Sequence, residues 1–438
     1  MSAFRPPTRR TFLSQASAVA ALAAPSALSY SRIVGANERI SLGHIGIGNR
    51  GRGLQLIAAQ LKTPHNLEMT AVCDLWTVNR DRAADSVEKA YGRRPRTFQD
   101  MDRLLELKDV DAVLISTADF QHAHHLKTVL EAGKDAYCEK PMANDLANAK
   151  AVREAFLKTD RIVQIGTQHR SEPYQQEVKK LIDAGVLGDV SKVEMVWNYH
   201  GPRWRGRPEV AKLREQDTNW KKWLLNKPDR PFDPRAYFEF RLYRDFSSGI
   251  ADQWMSHGAD ILHYFMDEQF PHSAAAQGGV YAWHDGRENP DTFQALLEYP
   301  KGFLFSFATS FGNDSDSFSR IMGKKATLYN EGGEGSPRWA LVGEKGNHED
   351  DPDVKREKKY VTLPGDDKPG PAGIGDEDLS HMTNWVTCLR TRQQPNATVH
   401  NGFSHSVAII MAARAYREGK KLYWDKKQEE IVDTNPEA

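Results

Sequence analysis

Short, largely apolar runs alternate with amphipathic stretches through the first part of the chain. Ile40–Ile47, Met69–Cys73, Ala112–Ser116, Ala136–Cys138 and Ile162–Ile165 read as strands buried on both faces. Between them, apolar positions at helical spacing predict helices over Leu54–Leu61, Val78–Tyr91, His122–Ala132 and Leu146–Leu157. Gly133 stands where a helix C-cap glycine belongs. Such alternation predicts βαβ units around a parallel sheet, an α/β Rossmann-type domain.

Past residue 170 the period changes. Ser191–Trp197, Ala274–Trp283, Phe293–Tyr299 and Phe303–Phe311 read as longer strands, and Tyr299-Pro-Lys-Gly-Phe303 as a hairpin turn. Ser256–Phe265 and Ala408–Tyr416 read as helices, and residues 343–376 as a charged, Pro/Gly-rich surface excursion. The expected second domain is therefore α+β, with an open, mainly antiparallel sheet.

Composition narrows the function classes. The 438 residues suit two domains. Lys plus Arg and Asp plus Glu both number 59, so no global charge favours a nucleic-acid partner. The three cysteines, Cys73, Cys138 and Cys388, show no metal-binding spacing and cannot all pair. The N-terminus reads as an export signal. Arg9-Arg10 precedes Thr-Phe-Leu and a short Ala-rich stretch, which resembles a twin-arginine signal. The apolar stretch is too short to span a bilayer, so no membrane anchor is expected. The expected division is a signal at 1–30, a dinucleotide-binding domain at 36–166 and a substrate and oligomerisation domain at 167–438. The location that follows is periplasmic or otherwise exported, with the twin-arginine machinery as a partner.

Gly46-Ile-Gly48-Asn49-Arg50-Gly51 follows the first strand and opens a helix, and Asp74 ends the next strand. This spacing is the dinucleotide fingerprint: the glycines admit a pyrophosphate to a helix N-terminus, and the acid accepts from the ribose hydroxyls. A carboxylate there repels a 2′-phosphate, so NAD is expected over NADP. Thr117 and Asp119 lie past the fourth strand, where open α/β sheets bind ligands.

Glu131-Ala-Gly-Lys-Asp-Ala-Tyr-Cys-Glu139-Lys140-Pro141-Met142 resembles the Gfo/Idh/MocA oxidoreductase family, as do Val163–Gln168, Trp220–Pro234 and His405–Asp425. The resemblance implies NAD(P)-dependent chemistry at a secondary alcohol of a sugar, cyclitol or related compound. It places Lys140 beside the reacting hydroxyl and gives Glu139 a structural or cofactor-orienting role. His122 and Gln168 are expected near the cofactor. His257, inside Ser247–Asp260, is the implied general base, with Asp260 matching the family's later acid. The residue four before His257, commonly Asp in the family, is Gln253 here, with Asp252 one place earlier. Either Asp252 swings in or the Gln253 amide takes that role. His257 also reads as a packed helix histidine. His169 and Arg170 are candidate substrate contacts. Tyr199, His200 and Trp204 read as a sugar-binding wall or as packing, and Trp220 and Trp223 as core. A metal role for the His122/His124/His125 cluster or for His257, Asp260 and His263 is not expected. A homo-oligomer through the second sheet is. Three functions remain open: a sugar oxidoreductase with recycled NAD, an NAD-dependent glycoside hydrolase, and a non-catalytic sugar or nucleotide sensor.

Overall fold

The computed structural model describes residues 38–331, 336–344, 358–366 and 377–437. The export signal at 1–30, with Arg9-Arg10, lies outside the described residues, as do residues 345–357 and 367–376 of the charged excursion.

The first domain runs β1 Ile40–Ile45, α1 Asn49–Gln60, β2 Leu67–Cys73, α2 Thr77–Tyr91, β3 Arg96–Phe98, α3 Met101–Leu105, β4 Ala112–Ile115, α4 His122–Glu131, β5 Asp135–Cys138, α5 Leu146–Leu157 and β6 Val163–Ile165. The six strands are parallel, in the order β3-β2-β1-β4-β5-β6. The order reverses between β1 and β4, so a crevice opens beyond their C-terminal ends, which is where such sheets bind ligands. Gly133 closes α4 at φ +70. Strand β3 escaped the sequence reading because Arg96 and Thr97 are exposed at the sheet edge, which removes the apolar signature.

After α6 (Pro173–Asp183) the chain builds a ten-stranded sheet. Its strands are β7 Val190–Val196, β9 Ser273–Gly279, β10 Thr292–Tyr299, β11 Phe303–Ser310, β13 Phe318–Gly323, β14 Ala326–Asn330, β15 Trp339–Gly343, β16 Lys359–Tyr360, β17 Leu422–Asp425 and β18 Glu430–Val432. A separate ribbon pairs β8 Tyr199–His200 with β12 Gly312–Asn313. In the large sheet every pair is antiparallel except β7–β11. The β10–β11 hairpin turns at Gly302, whose φ of +83 suits glycine.

Five more α-helices follow among the described residues: α7 Trp220–Leu224, α8 Pro234–Phe238, α9 Ser256–Met266, α10 Glu377–Thr391 and α11 Val399–Glu418. The long α11 starts at a Thr398 cap and covers the second sheet, with Phe403 and Val407 in one apolar cluster with Phe293 and Leu297. Helix α10 crosses back to the first domain. Its Met382, Trp385, Val386 and Leu389 join Leu42, Met69, Val72 and Leu114 in a second cluster. The stretch around α7 and α8 forms a third cluster with Ala118 and Phe120, in which Trp220 and Trp223 stack at 4.9 Å. Among the described residues, no helix is long and apolar enough to cross a membrane.

Candidate active site

The crevice beyond β1 and β4 is a cleft of ≈ 860 Å³ lined by Gly46, Gly48, Asn49, Arg50, Asp74 and Thr117. Two of the glycines are required by the protein's own packing. Gly46 has φ +80, and a Cβ there would lie 2.4 Å from the Thr117 side chain. At Gly51 a Cβ would lie 2.6 Å from the Gly46 carbonyl oxygen. Gly48 differs, since a Cβ there meets no protein atom within 4 Å. Its smallness serves an approaching ligand rather than the fold, and it caps the 12-residue helix α1 whose first N–H groups have no helical partner. The Asp74 carboxylate accepts from Ile47 N at 2.6 Å and Trp76 N at 2.9 Å, and so pins the loop from below. Burial pushes its pKa up to about 6. The Asn79 side chain bonds it as well, and since a carboxylate has about four acceptor positions, about one is left for a ribose hydroxyl. The loop, helix terminus, acid and cleft fit a dinucleotide.

Asp74→Ala should weaken NAD binding about tenfold to a hundredfold, the range of a hydrogen bond to a charged group. The loop loses its anchor in that variant, which harms NAD and NADP alike. The NAD/NADP affinity ratio is therefore the measurement, and it should narrow; an unchanged ratio would remove Asp74 from ribose recognition.

The far side of the cleft is a roof from the second domain, including Asn219, Lys222, Trp223, Asn226, Tyr237 and Phe238. Three contacts fasten it to the first domain. Lys222 pairs with Asp100 at 2.5 Å, Gln121 Nε2 donates to the Trp223 carbonyl at 2.6 Å, and Phe238 meets Trp76 edge-on at 5.1 Å.

A smaller pocket of ≈ 250 Å³ continues from the cleft. Arg50, Ser116, Thr117 and Arg241 line both. Here the structure gathers His122, Glu139, Lys140, Gln168, Gln253 and His257. Lys140 Nζ donates to the Gln253 carbonyl. Glu139 accepts from Arg50 Nε at 2.6 Å, and Arg50 forks onto Asp378 at the start of α10. His122 spans two carbonyls, Pro141 O at 2.8 Å and Thr117 O at 3.2 Å, and so ties the Glu-Lys-Pro turn to the end of β4.

His257 is buried, and its ring lies 4.8 Å from that of His169. Burial, then the positive charge of Lys140, hold its pKa well below that of an ordinary imidazole. The ring is therefore neutral at pH 7 and able to accept a proton. Among the described residues no carboxylate lies within ion-pair distance of it, and its Nδ1 has no hydrogen-bond partner.

Residues 251–255 form a π-turn leading into α9. Such turns shift which side chains face a site. This one presents Gln253 to the pocket and sends Asp252 into the turn before it, where Asp252 accepts from Ser248 N at 2.6 Å. Asp252 is thus a turn-holding residue and not part of the pocket. Asp119 is also displaced from its expected cofactor contact. It is fully buried and accepts from Gln253 Nε2 at 2.8 Å, Ser247 Oγ at 3.0 Å and Arg241 at 3.2 Å.

The expected substrate residues mostly stand elsewhere. Arg170 and Asp260 form a buried ion pair at 2.6 Å, with His405 at 3.4 Å on the other carboxylate oxygen. His169 lies behind His257 and bonds Glu377 at 2.6 Å. His200 is exposed and bonds Gly312 O across its ribbon, and Tyr199 is exposed beneath Arg203. Trp204 does line the pocket, joined by Trp197, Trp254, Arg203 and Arg241, which the sequence reading missed. Trp197 and Trp254 stack at 4.5 Å. Among the described residues no group of three or more His, Cys, Asp or Glu is placed to hold a metal ion.

Comparison with known proteins agrees with this layout. Residues 40–167 match the model described as oxidoreductase family, NAD-binding Rossmann fold, and residues 229–423 match its C-terminal alpha/beta domain. Inositol 2-dehydrogenase 3 of Saccharopolyspora erythraea is 33% identical over 150 residues, 34% of this chain and 42% of that protein. Inositol 2-dehydrogenase of Salmonella typhimurium is 29% identical over 197 residues, 43% and 55% respectively. The chain thus spans about half the length of the curated relatives it matches. Levoglucosan dehydrogenase, solved with NADH and levoglucosan, superposes at TM-score 0.67 and 14% identity, over 88% of this chain and 99% of that one. An oxidoreductase domain protein from Kribbella flavida superposes at 0.66 and 19% identity, over 89% and 100%. At such identities the likeness is one of fold. The two matched domains, in this order and with the Glu139-Lys140-Pro141 turn inside the first, show that the chain belongs to the Gfo/Idh/MocA oxidoreductase family, with an NAD-binding Rossmann domain at its N-terminal end.

Proposed function

We propose that the protein oxidises a secondary alcohol of a sugar or sugar derivative, with NAD as the partner. The observation that carries this reading is the pocket shared by Lys140 and His257, which opens directly into the dinucleotide cleft. NAD supplies the hydride acceptor when bound. The neutral His257 ring takes the hydroxyl proton. The Lys140 ammonium hydrogen-bonds the same oxygen and stabilises the negative charge that develops as the carbon gives up hydride. The product is a ketone, and the proton remains on His257. Trp197 and Trp254 offer the apolar surface that suits sugar C–H faces.

The reading includes export through the twin-arginine route and a tightly held, recycled NAD. The roof over the cleft supports the second part: the Lys222–Asp100 and Gln121–Trp223 contacts hold it against the first domain and would slow cofactor exchange. A chain exported folded carries its cofactor along. Changing Arg9 and Arg10 together to Lys should leave the protein in the cytoplasm; export of the double variant at the wild-type level would refute that route.

A closed redox cycle is also what an NAD-dependent glycoside hydrolase needs, and the same roof favours that second reading. One experiment separates them. Purified protein is heat-denatured to count released NAD, expected near one per chain. It is also incubated with sugars and glycosides in D₂O while absorbance and products are followed. Oxidised products mark the dehydrogenase. Hydrolysis with deuterium beside the oxidised carbon marks the hydrolase. No reaction with any sugar or glycoside would sink both.

A further inference from the structure

The small pocket is ringed by more positive charge than the proposed chemistry uses. Arg50, Lys140, Arg203 and Arg241 line it, and among the described residues Glu139 is the one carboxylate in that lining. Most of these charges are committed. Arg50 holds Glu139 and Asp378, Arg241 holds Asp119, and Lys140 donates to the Gln253 carbonyl.

Arg203 is the exception. Among the described residues it has no carboxylate within ion-pair distance, and its guanidinium makes no hydrogen bond. It lies instead over two aromatic rings, Tyr199 at 5.0 Å and Trp254 at 5.5 Å. The two rings hold the cation at the pocket edge and take up none of its five N–H donors, which stay available to a carboxylate. Trp254 is also one of the stacked indoles of the pocket wall, so the same ring supports both sugar face and cation. Arg207, on the adjoining cleft, makes no ion pair among the described residues, with Glu209 and Glu239 as its nearer acidic neighbours. Burial, then Arg241 and Arg203, lower its pKa against the opposing pull of Glu209 and Glu239, so the cations are only partly compensated. An anion between them relieves that repulsion.

We propose that the substrate is an acidic sugar, a hexuronate or its glycoside, whose carboxylate pairs with Arg203 at the pocket mouth while a secondary hydroxyl meets Lys140 and His257. This rests on the oxidoreductase reading above. A neutral sugar leaves Arg203 without a counter-charge, and a carboxylate supplies one beside the aromatic shelf that holds it.

The test uses the holoprotein with D-glucuronate, D-galacturonate, their neutral parents D-glucose and D-galactose, and D-glucose 6-phosphate. The kcat/KM for a hexuronate should exceed that of its neutral parent at least tenfold. Arg203→Gln should cut that ratio about tenfold or more, chiefly through KM, and Arg203→Lys should restore part of it. Arg203 is exposed, so its variants should melt with the wild type. A wild-type ratio near one, an Arg203→Gln variant that weakens acidic and neutral sugars equally, or preference for the phosphate over both hexuronates would overturn the proposal. Oxidation of neutral sugars alone overturns it and leaves the oxidoreductase reading standing. Oxidation of neither class overturns both.

Discussion

Lys140→Met and His257→Ala should each lower kcat by about 10²-fold or more, the range for a lost oxyanion stabiliser or a lost general base. Both side chains line the small pocket. Lys140 gives its ammonium to a carbonyl at the pocket edge, and His257 has an unpartnered ring nitrogen. Bound NAD should therefore stay close to wild type, while His257→Ala should melt somewhat lower because its buried ring leaves a cavity beside His169. The pH profile provides a second check. A base works only when neutral, so its rate falls as pH drops through its pKa. Burial and the neighbouring Lys140 hold His257 low, which places the acid limb of kcat/KM below the ordinary imidazole value of 6.5. A wild-type kcat in either variant removes that residue from the mechanism.

Asp260→Ala should unfold the protein more readily, by about 3–5 kcal/mol, because it leaves the buried Arg170 charge without its partner. Asp260 sits between Arg170 and His405, and these neighbours hold its pKa below the usual carboxylate range despite its burial. A depressed folded-state pKa gives stability that is complete above the unfolded value near 3.9 and lost as pH falls toward the folded one. The variant should therefore lose its excess destabilisation at low pH. Adding Arg170→Met should recover part of the melting temperature. A normal melting temperature with a raised KM would instead make Asp260 a substrate contact.

The parallel sheet was legible because its central strands are buried on both faces and carry plain apolar runs. Helix α10 was missed although Met382, Trp385, Val386 and Leu389 repeat at helical spacing; the polar stretch before it masked the signal. In the site, Gly46, Gly51 and Lys140 could be found because their chemistry lies in contiguous motifs. Asp252 and Gln253 could not be told apart, since a π-turn decides which of them faces the pocket and no periodicity in the sequence marks it. Arg170 and Asp260 are 90 positions apart, and only the folded chain shows that they neutralise each other. Arg203 follows a two-residue strand, and its role depends on a ring from the Trp254 turn.

The packing of α10 sets an order on how the protein comes into being. All six parallel strands have been synthesised by Ile165, but the helix that seals Leu42, Met69 and Leu114 starts at Glu377. During translation the nascent sheet waits, greasy on one side, for more than 200 residues to emerge. The first domain should therefore keep the part of this face not covered by Leu54, Ala58 and Val87 open to water until the ribosome has nearly finished. Cut out by itself, it should clump where the whole chain stays dissolved.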